Sequence, residues 1–258
     1  WEQWQQRLEL ARRERRPGDV RAIAEAAPIR PLRFEGLCKA GNALIKEGQF
    51  AFALSCFEDA LKIDPHDLEC RRQKGLVLGK LQQRSAAEVW LESVAKDHPD
   101  DAETWGLLGR LEKEKWMECW TTVPPEQMRE EAAFSAESLK KAIDVYLTGF
   151  RQNPKEYFPG INALTLAHLH QHVTGEAWEV PSLPVLEGGI RWAVQGSLEA
   201  NKNNYWARAT LGDLEVLSGT PASVTKAYKA AIVLGQDDWF ALHSVREQLL
   251  LLQKLEFA

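Results

Sequence analysis

A small set of residues that return at a fixed step constrains this fold more than any other feature of the sequence. Gly41, Gly75 and Gly109 are 34 residues apart, and Pro65 and Pro99 repeat the same step. Self-similarity at such a period predicts an array of short, similar units rather than one globular core. A single unit of this size cannot bury its apolar face alone, so we expect neighbouring units to stack.

The residues within one step indicate what each unit is. The stretch 34–67 predicts two amphipathic helices joined by a tight turn. Small residues such as Gly41 and Ala53 let the two helices approach each other, and Phe57 fills the space between them. Pro65 cannot continue the second helix and therefore ends it. This arrangement is typical of the tetratricopeptide repeat, so we predict an all-α tetratricopeptide solenoid (an α-α superhelix) of about thirteen helices.

The period divides the chain into a degenerate N-terminal helical cap, five repeats and a C-terminal capping helix. The predicted bounds are 1–33 for the cap, 34–67, 68–101, 102–156, 157–204 and 205–238 for the repeats, and 239–258 for the capping helix. Repeat 3 carries an insertion at 116–135 and repeat 4 a loop at 173–184, and we predict long loops at both. The run 249–252 is apolar nearly all round, so we predict that another domain or a second copy of the chain docks on the last helix.

The composition narrows the classes of partner. A net charge of −5 argues against nucleic acid, because phosphate binding needs a concentrated basic face. No apolar run approaches the length of a membrane span, so we also expect no membrane partner. Cys38, Cys56, Cys70 and Cys119 lack metal-binding spacing, which favours reduced thiols in a cytoplasmic protein. The chain begins at Trp1, so we expect it to be a piece of a longer polypeptide.

Two stretches resemble a known family. They are WGLLGR at 105–110 and YFPGINA at 157–163. Together with the repeats around them, about residues 30–240 resemble the TRAFs-binding (central regulatory) region of apoptosis signal-regulating MAP kinase kinase kinases, and bacterial proteins that carry the same region. The resemblance implies a regulatory scaffold that holds signalling partners, with a TRAF adaptor as a candidate, and that controls an attached effector. The chain has no kinase motifs, so kinase activity does not carry over.

The second of these stretches also has a structural explanation in its own residues. Gly160 allows a close approach of the backbone and Ile161 packs against neighbouring helices. Asn162 can satisfy a neighbouring backbone group. We therefore interpret these three residues, like the repeated glycines, as structural rather than catalytic.

The first helix of each repeat supplies the side chains that line the concave groove of a tetratricopeptide superhelix. Here those positions carry acidic residues in one row and partly basic residues in another. The candidate groove residues are Glu35, Asn42, Lys46, Glu69, Arg72, Lys80, Glu103, Arg110 and Glu114. We predict a channel for an extended or helical segment of mixed charge, from a partner or from the same polypeptide. The alternative is that the two rows offset each other in water, where an exposed pair contributes about 0–1 kcal/mol.

The insertion in repeat 3 offers a second candidate surface. Trp116 and Trp120 lie in it, and aromatic residues are enriched at binding hot spots. We predict that the two tryptophans form an exposed anchor for a partner. The alternative is that they pack back on their own repeat.

Other functions find less support in the sequence. A chaperone-type adaptor binds a C-terminal peptide with a lysine and an asparagine on its first repeat, and here Asn42 is present but Cys38 stands at the lysine position. No phosphate-binding loop, nucleophile elbow or paired-carboxylate motif appears, so we predict no enzymatic activity and no cofactor. An enzymatic effector would have to lie elsewhere in the polypeptide. His168 and His172 share a helical face, but no third ligand can be named, so we predict no metal site.

Overall fold

A computed structural model describes residues 2–26 and 30–257. In that part of the chain it contains fourteen α-helices, one short 3₁₀ helix and no strand. The α-helices are α1 (Glu2–Arg13), α2 (Pro17–Glu25), α3 (Arg30–Lys46), α4 (Phe50–Ile63), α5 (Leu68–Lys80), α6 (Arg84–Asp97), α7 (Ala102–Trp120), α8 (Met128–Phe134), α9 (Ala136–Gln152), α10 (Tyr157–Thr174), α11 (Leu183–Ala200), α12 (Tyr205–Ser218), α13 (Pro221–Ile232) and α14 (Trp239–Lys254). The all-α prediction is confirmed. None of the helices described is both long and apolar enough to cross a membrane.

The helices group into two compact units. The first comprises Trp1–Asp97 with Asp237–Phe240, and the second comprises His98–Gln236 with Ala241–Ala258. The first two residues of α14 therefore group with the first unit, and the rest of that helix groups with the second.

The first unit contains the predicted cap, repeat 1 and repeat 2 as far as Asp97. Its helix pairs are held close by glycine, as the sequence predicts: a Cβ atom on Gly41 would lie 2.5 Å from the ring of Phe57, and one on Gly75 would lie 2.4 Å from Leu91. Helix α5 begins at the predicted repeat boundary, where the Asp67 side chain accepts a hydrogen bond from the backbone N–H of Cys70.

The second unit repeats this packing with larger partners. A Cβ atom on Gly109 would lie 2.6 Å from the ring of Tyr146, and one on Gly212 would lie 2.5 Å from that of Tyr228. Gly160 lies as closely against Phe150, where the added atom would be 2.8 Å away. Each contact pins the first helix of a repeat to a neighbouring helix, because no side chain separates the two.

The insertion of repeat 3 is mostly helical, which corrects the prediction of a long loop at 116–135. Helix α7 continues to Trp120, and α8 follows after a short turn. Trp116 and Trp120 are fully buried and pack edge to face, with ring centroids 5.4 Å apart. The indole N–H of Trp116 donates to the carbonyl of Ala132 on α8. The predicted exposed aromatic anchor is therefore wrong, because α8 folds back and covers both rings.

The structure agrees with the predicted loop in repeat 4 but explains part of the apolar run of the last helix by packing. Helix α10 ends at Thr174, and the chain stays non-helical to residue 182, close to the predicted loop at 173–184. Within the apolar run of α14, Leu251 and Leu252 are buried in the core of the second unit. Two of the four leucines of the predicted docking surface are therefore used for packing inside the unit. The other two, Leu249 and Leu250, are half-buried.

Candidate functional site

Three of the six predicted groove residues of the first unit lie in ion pairs within single helices. Glu35 pairs with Lys39 at 2.8 Å on α3, and Glu69 pairs with Arg72 at 2.6 Å on α5. The Lys80 ammonium lies 5.2 Å from the centre of the Phe240 ring. The other two, Asn42 and Lys46, are half-buried and exposed, respectively. Ion pairs one turn apart on a helix contribute only about 0.2–0.5 kcal/mol each.

In the second unit the structure brings together two of the three predicted groove residues. Arg110 donates through Nε to Glu114 Oε1 at 3.0 Å, and both side chains are about four-fifths buried. Glu103 is half-buried one residue after the start of α7. The Arg110–Glu114 pair marks one edge of a larger set of polar side chains.

We call this set the polar cluster. Its members come from four helices and are Arg110, Lys113 and Glu114 of α7, Asn162 of α10, Asp213 of α12 and Gln248 of α14. The Lys113 ammonium joins three of these helices, because Nζ lies 3.3 Å from Asn162 Oδ1 and 3.3 Å from Gln248 Oε1. Asn162 also donates through its amide nitrogen to the carbonyl of Phe158 in the same helix. Its amide oxygen therefore contacts the cluster while its amide nitrogen binds the helix backbone.

Lys113 is a half-buried cation held by neutral oxygens. Within the described residues, no carboxylate lies at ion-pair distance from its ammonium. Burial and, to a smaller extent, the Arg110 guanidinium lower the pKa of Lys113 to about 8, while Glu114 and Asp213 act in the opposite direction. The charged form of this side chain is thus poorly stabilised by its own surroundings.

Asp213 is the matching half-buried anion. Its carboxylate accepts a hydrogen bond from the Tyr228 hydroxyl at 2.7 Å. Burial raises the pKa of Asp213 to about 6, although that hydrogen bond and the Lys113 charge both lower it. Lys113 and Asp213 therefore influence each other's charge but do not form a direct ion pair.

A third polar group faces the cluster from the packed core. The hydroxyl of Tyr146 is buried and has no hydrogen-bond partner in the part of the chain that the structure describes. Burial raises the pKa of Tyr146, and the charges of Arg110 and Glu114 act on the same hydroxyl. An unpaired buried hydroxyl costs about 1–3 kcal/mol. The second unit therefore holds two half-buried charges without a direct ion pair and one buried hydroxyl without a hydrogen bond, among the residues described.

Lys113, Asp213 and Gln248 are not among the site residues predicted from the sequence, and Asn162 is predicted to have a structural role alone. A signal was available at one repeat position, where repeat 1 has Phe57 but repeats 3 and 5 have Tyr146 and Tyr228. A hydroxyl on a buried packing residue needs a polar neighbour. That substitution could have pointed to polar side chains on the facing helices.

The chemistry that this arrangement supports is recognition. Side-chain amides such as those of Asn162 and Gln248 offer both a donor and an acceptor, as a peptide group does. Lys113 can donate to carboxylate or carbonyl oxygens, and Asp213 can accept from cations, hydroxyls or backbone N–H groups. The cluster thus combines hydrogen-bond donors, acceptors and charges of both signs at one place.

A family model and a solved structure agree with the repeat fold. A family model described as Tetratricopeptide Repeats-Sensor matches residues 49–167. A thermophilic tetratricopeptide protein of Thermus thermophilus aligns over 84% of this chain and 99% of its own, with 17% identity and a TM-score of 0.52. MamA from Desulfovibrio magneticus RS-1 aligns over 72% of this chain and 94% of its own, with 20% identity and a TM-score of 0.45.

No curated protein gives a significant match to the chain. Because the Thermus protein is only 17% identical in sequence, its structural similarity supports the fold and not a shared function. That fold, the family-model match over residues 49–167 and the close helix contacts at the glycines show that the chain has a tetratricopeptide-type repeat fold.

Proposed function

We propose that the chain is a protein-interaction module and that the polar cluster of its second unit binds an extended segment of mixed charge. The segment would place a carboxylate near Lys113 and a cationic or hydroxyl group near Asp213. The observation that carries the proposal is that these two half-buried charges face one site without forming an ion pair, among the residues described.

The energetics support a ligand-binding role. Both charged side chains have pKa values shifted against their charged forms, so holding them charged near neutral pH opposes folding. A fold under selection for stability alone would use apolar side chains or a direct pair at such a place. Groups on a bound segment would supply the missing opposite charges, which makes binding favourable and selective for charge pattern.

The neutral members of the cluster favour a polypeptide as the ligand. Asn162 and Gln248 approach Lys113 from separate helices, and both amide oxygens lie 3.3 Å from its Nζ. A side-chain amide offers both a donor and an acceptor to the peptide groups of an extended chain. The unpaired hydroxyl of Tyr146 offers one further hydrogen bond beside Arg110.

The wider role that we propose is that of a regulatory scaffold in a cytoplasmic signalling protein. The resemblance of 105–110 and 157–163 to the TRAFs-binding region supports it, as does the description of the matching family model as a sensor. The bound segment would belong to a signalling partner or to the same polypeptide. Glu35 and Glu69 in the first unit, and Glu103 in the second, remain candidate contacts of lower rank.

The experiment is a selection from a library of displayed short random peptides on the immobilised chain. We expect the wild type to enrich peptides that carry acidic residues, and Lys113→Met to bind them about tenfold more weakly or worse. Lys226→Met is the matched control, because it removes an equal charge from an exposed position on α13. Thermal melts followed by circular dichroism would verify that both variants are folded.

Two outcomes would contradict the proposal. One is the absence of any enriched peptide. The other is an enriched set that binds Lys113→Met, Asp213→Asn and the control variant as tightly as it binds the wild type.

A further inference from the structure

Two cysteine side chains from adjacent predicted repeats meet in the first unit. Cys38 lies on α3, and Cys70 is the third residue of α5. Their Sγ atoms are 2.6 Å apart, and both residues are free thiols. The two residues have no motif spacing in the sequence, so only the packing of α3 against α5 reveals the pair.

We propose that Cys38 and Cys70 are a redox-active pair that forms an intramolecular disulfide between the two repeats. A disulfide bond is about 2.05 Å long, so the sulfurs need to close by only about 0.5 Å. Cys70 is buried, whereas Cys38 is half-buried and can be reached from solvent. An oxidant therefore has access to one thiol, and the second thiol is already in place to resolve the product.

A shared metal ion is the competing explanation. An oxygen of Asp67 and the two sulfurs all lie within 4.8 Å of one another, which gives three potential ligand atoms. Two thiolates bound to one tetrahedral zinc lie about 3.8 Å apart, given zinc–sulfur bonds of about 2.3 Å, and the sulfurs here are closer than that. The Asp67 carboxylate also caps α5 by accepting from the Cys70 N–H at 2.7 Å. The geometry therefore favours a sulfur–sulfur bond.

The oxidation needs a co-reactant, for which we name a low-molecular-weight disulfide. The Cys38 thiolate attacks one of its sulfurs, its S–S bond breaks, and half of the molecule leaves as a thiolate. Cys70 then loses its proton and attacks the Cys38 sulfur, which releases the second half. In sum, the two protein thiols lose two protons and two electrons, and the small disulfide becomes two thiols. The contact with Cys38 and burial raise the pKa of Cys70, which is consistent with Cys38 reacting first.

The bond would change the mechanics of the first unit. It would join α3 of repeat 1 to α5 of repeat 2 across 32 residues of sequence. Cys38 stands where a chaperone-type adaptor carries its peptide-binding lysine, and α3 and α5 both carry predicted groove residues. Oxidation would therefore restrict the relative movement of two groove-lining helices.

The sequence provides a direct readout of the pairing. Trypsin places each cysteine on its own peptide: Cys38 in 34–39, Cys56 in 47–62, Cys70 in 63–71 and Cys119 in 116–129. Cys56 is buried with its pKa raised to about 12, and Cys119 is exposed on α7. These two cysteines serve as internal controls for a buried and an accessible thiol.

The experiment treats the reduced, folded chain with oxidised glutathione, blocks remaining thiols by alkylation, and maps the tryptic peptides by mass spectrometry. We expect peptides 34–39 and 63–71 to become crosslinked with a loss of two hydrogen masses, in a monomeric chain. Cys119→Ser should leave this crosslink unchanged, and the same treatment in denaturant should scatter the pairing among all four cysteines.

The proposal would be overturned if Cys38 and Cys70 both stayed alkylatable, or if Cys38 stopped at the mixed disulfide. It would also be overturned if zinc bound to the reduced chain in a one-to-one ratio and blocked alkylation of both thiols, since the site would then be a metal site.

Discussion

Replacing Asp213 with asparagine should stabilise the second unit near neutral pH. The asparagine keeps an oxygen that accepts the Tyr228 hydroxyl, but it removes the half-buried charge. The pKa of Asp213 rises from an ordinary 3.8 to about 6, and each pH unit corresponds to about 1.4 kcal/mol. The charged form therefore opposes folding by about 3 kcal/mol at most, and we expect Asp213→Asn to gain about 1–3 kcal/mol at about pH 7.5.

The sign of the pH dependence makes the test specific. Because the folded chain binds the Asp213 proton more tightly than the unfolded chain, its stability falls as pH rises from 3.8 to about 6. The variant lacks this loss, so its advantage should be near zero at about pH 4 and complete above about pH 6.5. Lys113 contributes outside this window, since its pKa is lowered from 10.5 to about 8 and its effect raises stability with pH across that range.

The assay is urea unfolding followed by circular dichroism at several pH values, with hydrogen exchange of α12 and α13 in case the units unfold separately. Asp144→Asn on the exposed face of α9 is the matched control. If Asp213→Asn lowered stability at about pH 7.5 while the control did not, the Asp213 charge would be a net stabilising group. The half-buried charge of the polar cluster would then stabilise the fold rather than oppose it.

Three further perturbations test the packing and the thiol pair. Gly109→Ala forces a Cβ atom to 2.6 Å from an aromatic ring and should lower stability by about 1–3 kcal/mol. Gly196→Ala meets open space on α11 and should raise stability by about 0.5–1 kcal/mol. Equal effects of the two changes would show that Gly109 is not needed for close packing. Trp116→Ala should lower stability by about 3–5 kcal/mol. Trp192→Ala, at an 83% exposed side chain, should change stability by less than about 0.5 kcal/mol, and thermal melts of the two variants would measure the difference. Disulfide formation by the proposed thiol pair should raise the free energy of unfolding of the first unit by about 3–4 kcal/mol at most, which urea unfolding would show as a higher midpoint. An unchanged midpoint after full oxidation would contradict the expected restraint.

The periodic glycines could be interpreted from the sequence because their effect is local. Gly41 and Gly109 each face one bulky residue of a neighbouring helix, and a fixed spacing is enough to predict that contact. The insertion could not be interpreted in the same way. Whether Trp116 and Trp120 are exposed depends on how α8 folds back over α7, and the prolines between the two helices suggested only a break in the chain's helical structure.

The polar cluster could not be predicted from the sequence for a related reason. Lys113, Asp213 and Gln248 are far apart in the sequence, and the insertion and the loop at 175–182 interrupt the 34-residue register between them. The period aligns the first three repeats, so it placed Arg110 and Glu114 on the groove face. It gives no common register for α10, α12 and α14, whose side chains complete the site.

Chemical-shift mapping of the ¹⁵N-labelled chain with a peptide selected on the wild type tests the central claim most directly. If the polar cluster is the binding site, the side-chain amide signals of Asn162 and Gln248 should shift on titration, together with the backbone amides around Lys113 and Asp213. Lys113→Met should abolish these shifts at the same peptide concentration. Shifts confined to the exposed faces of α9 and α13, with the two side-chain amides unmoved, would show that this tetratricopeptide-type chain binds its partner elsewhere.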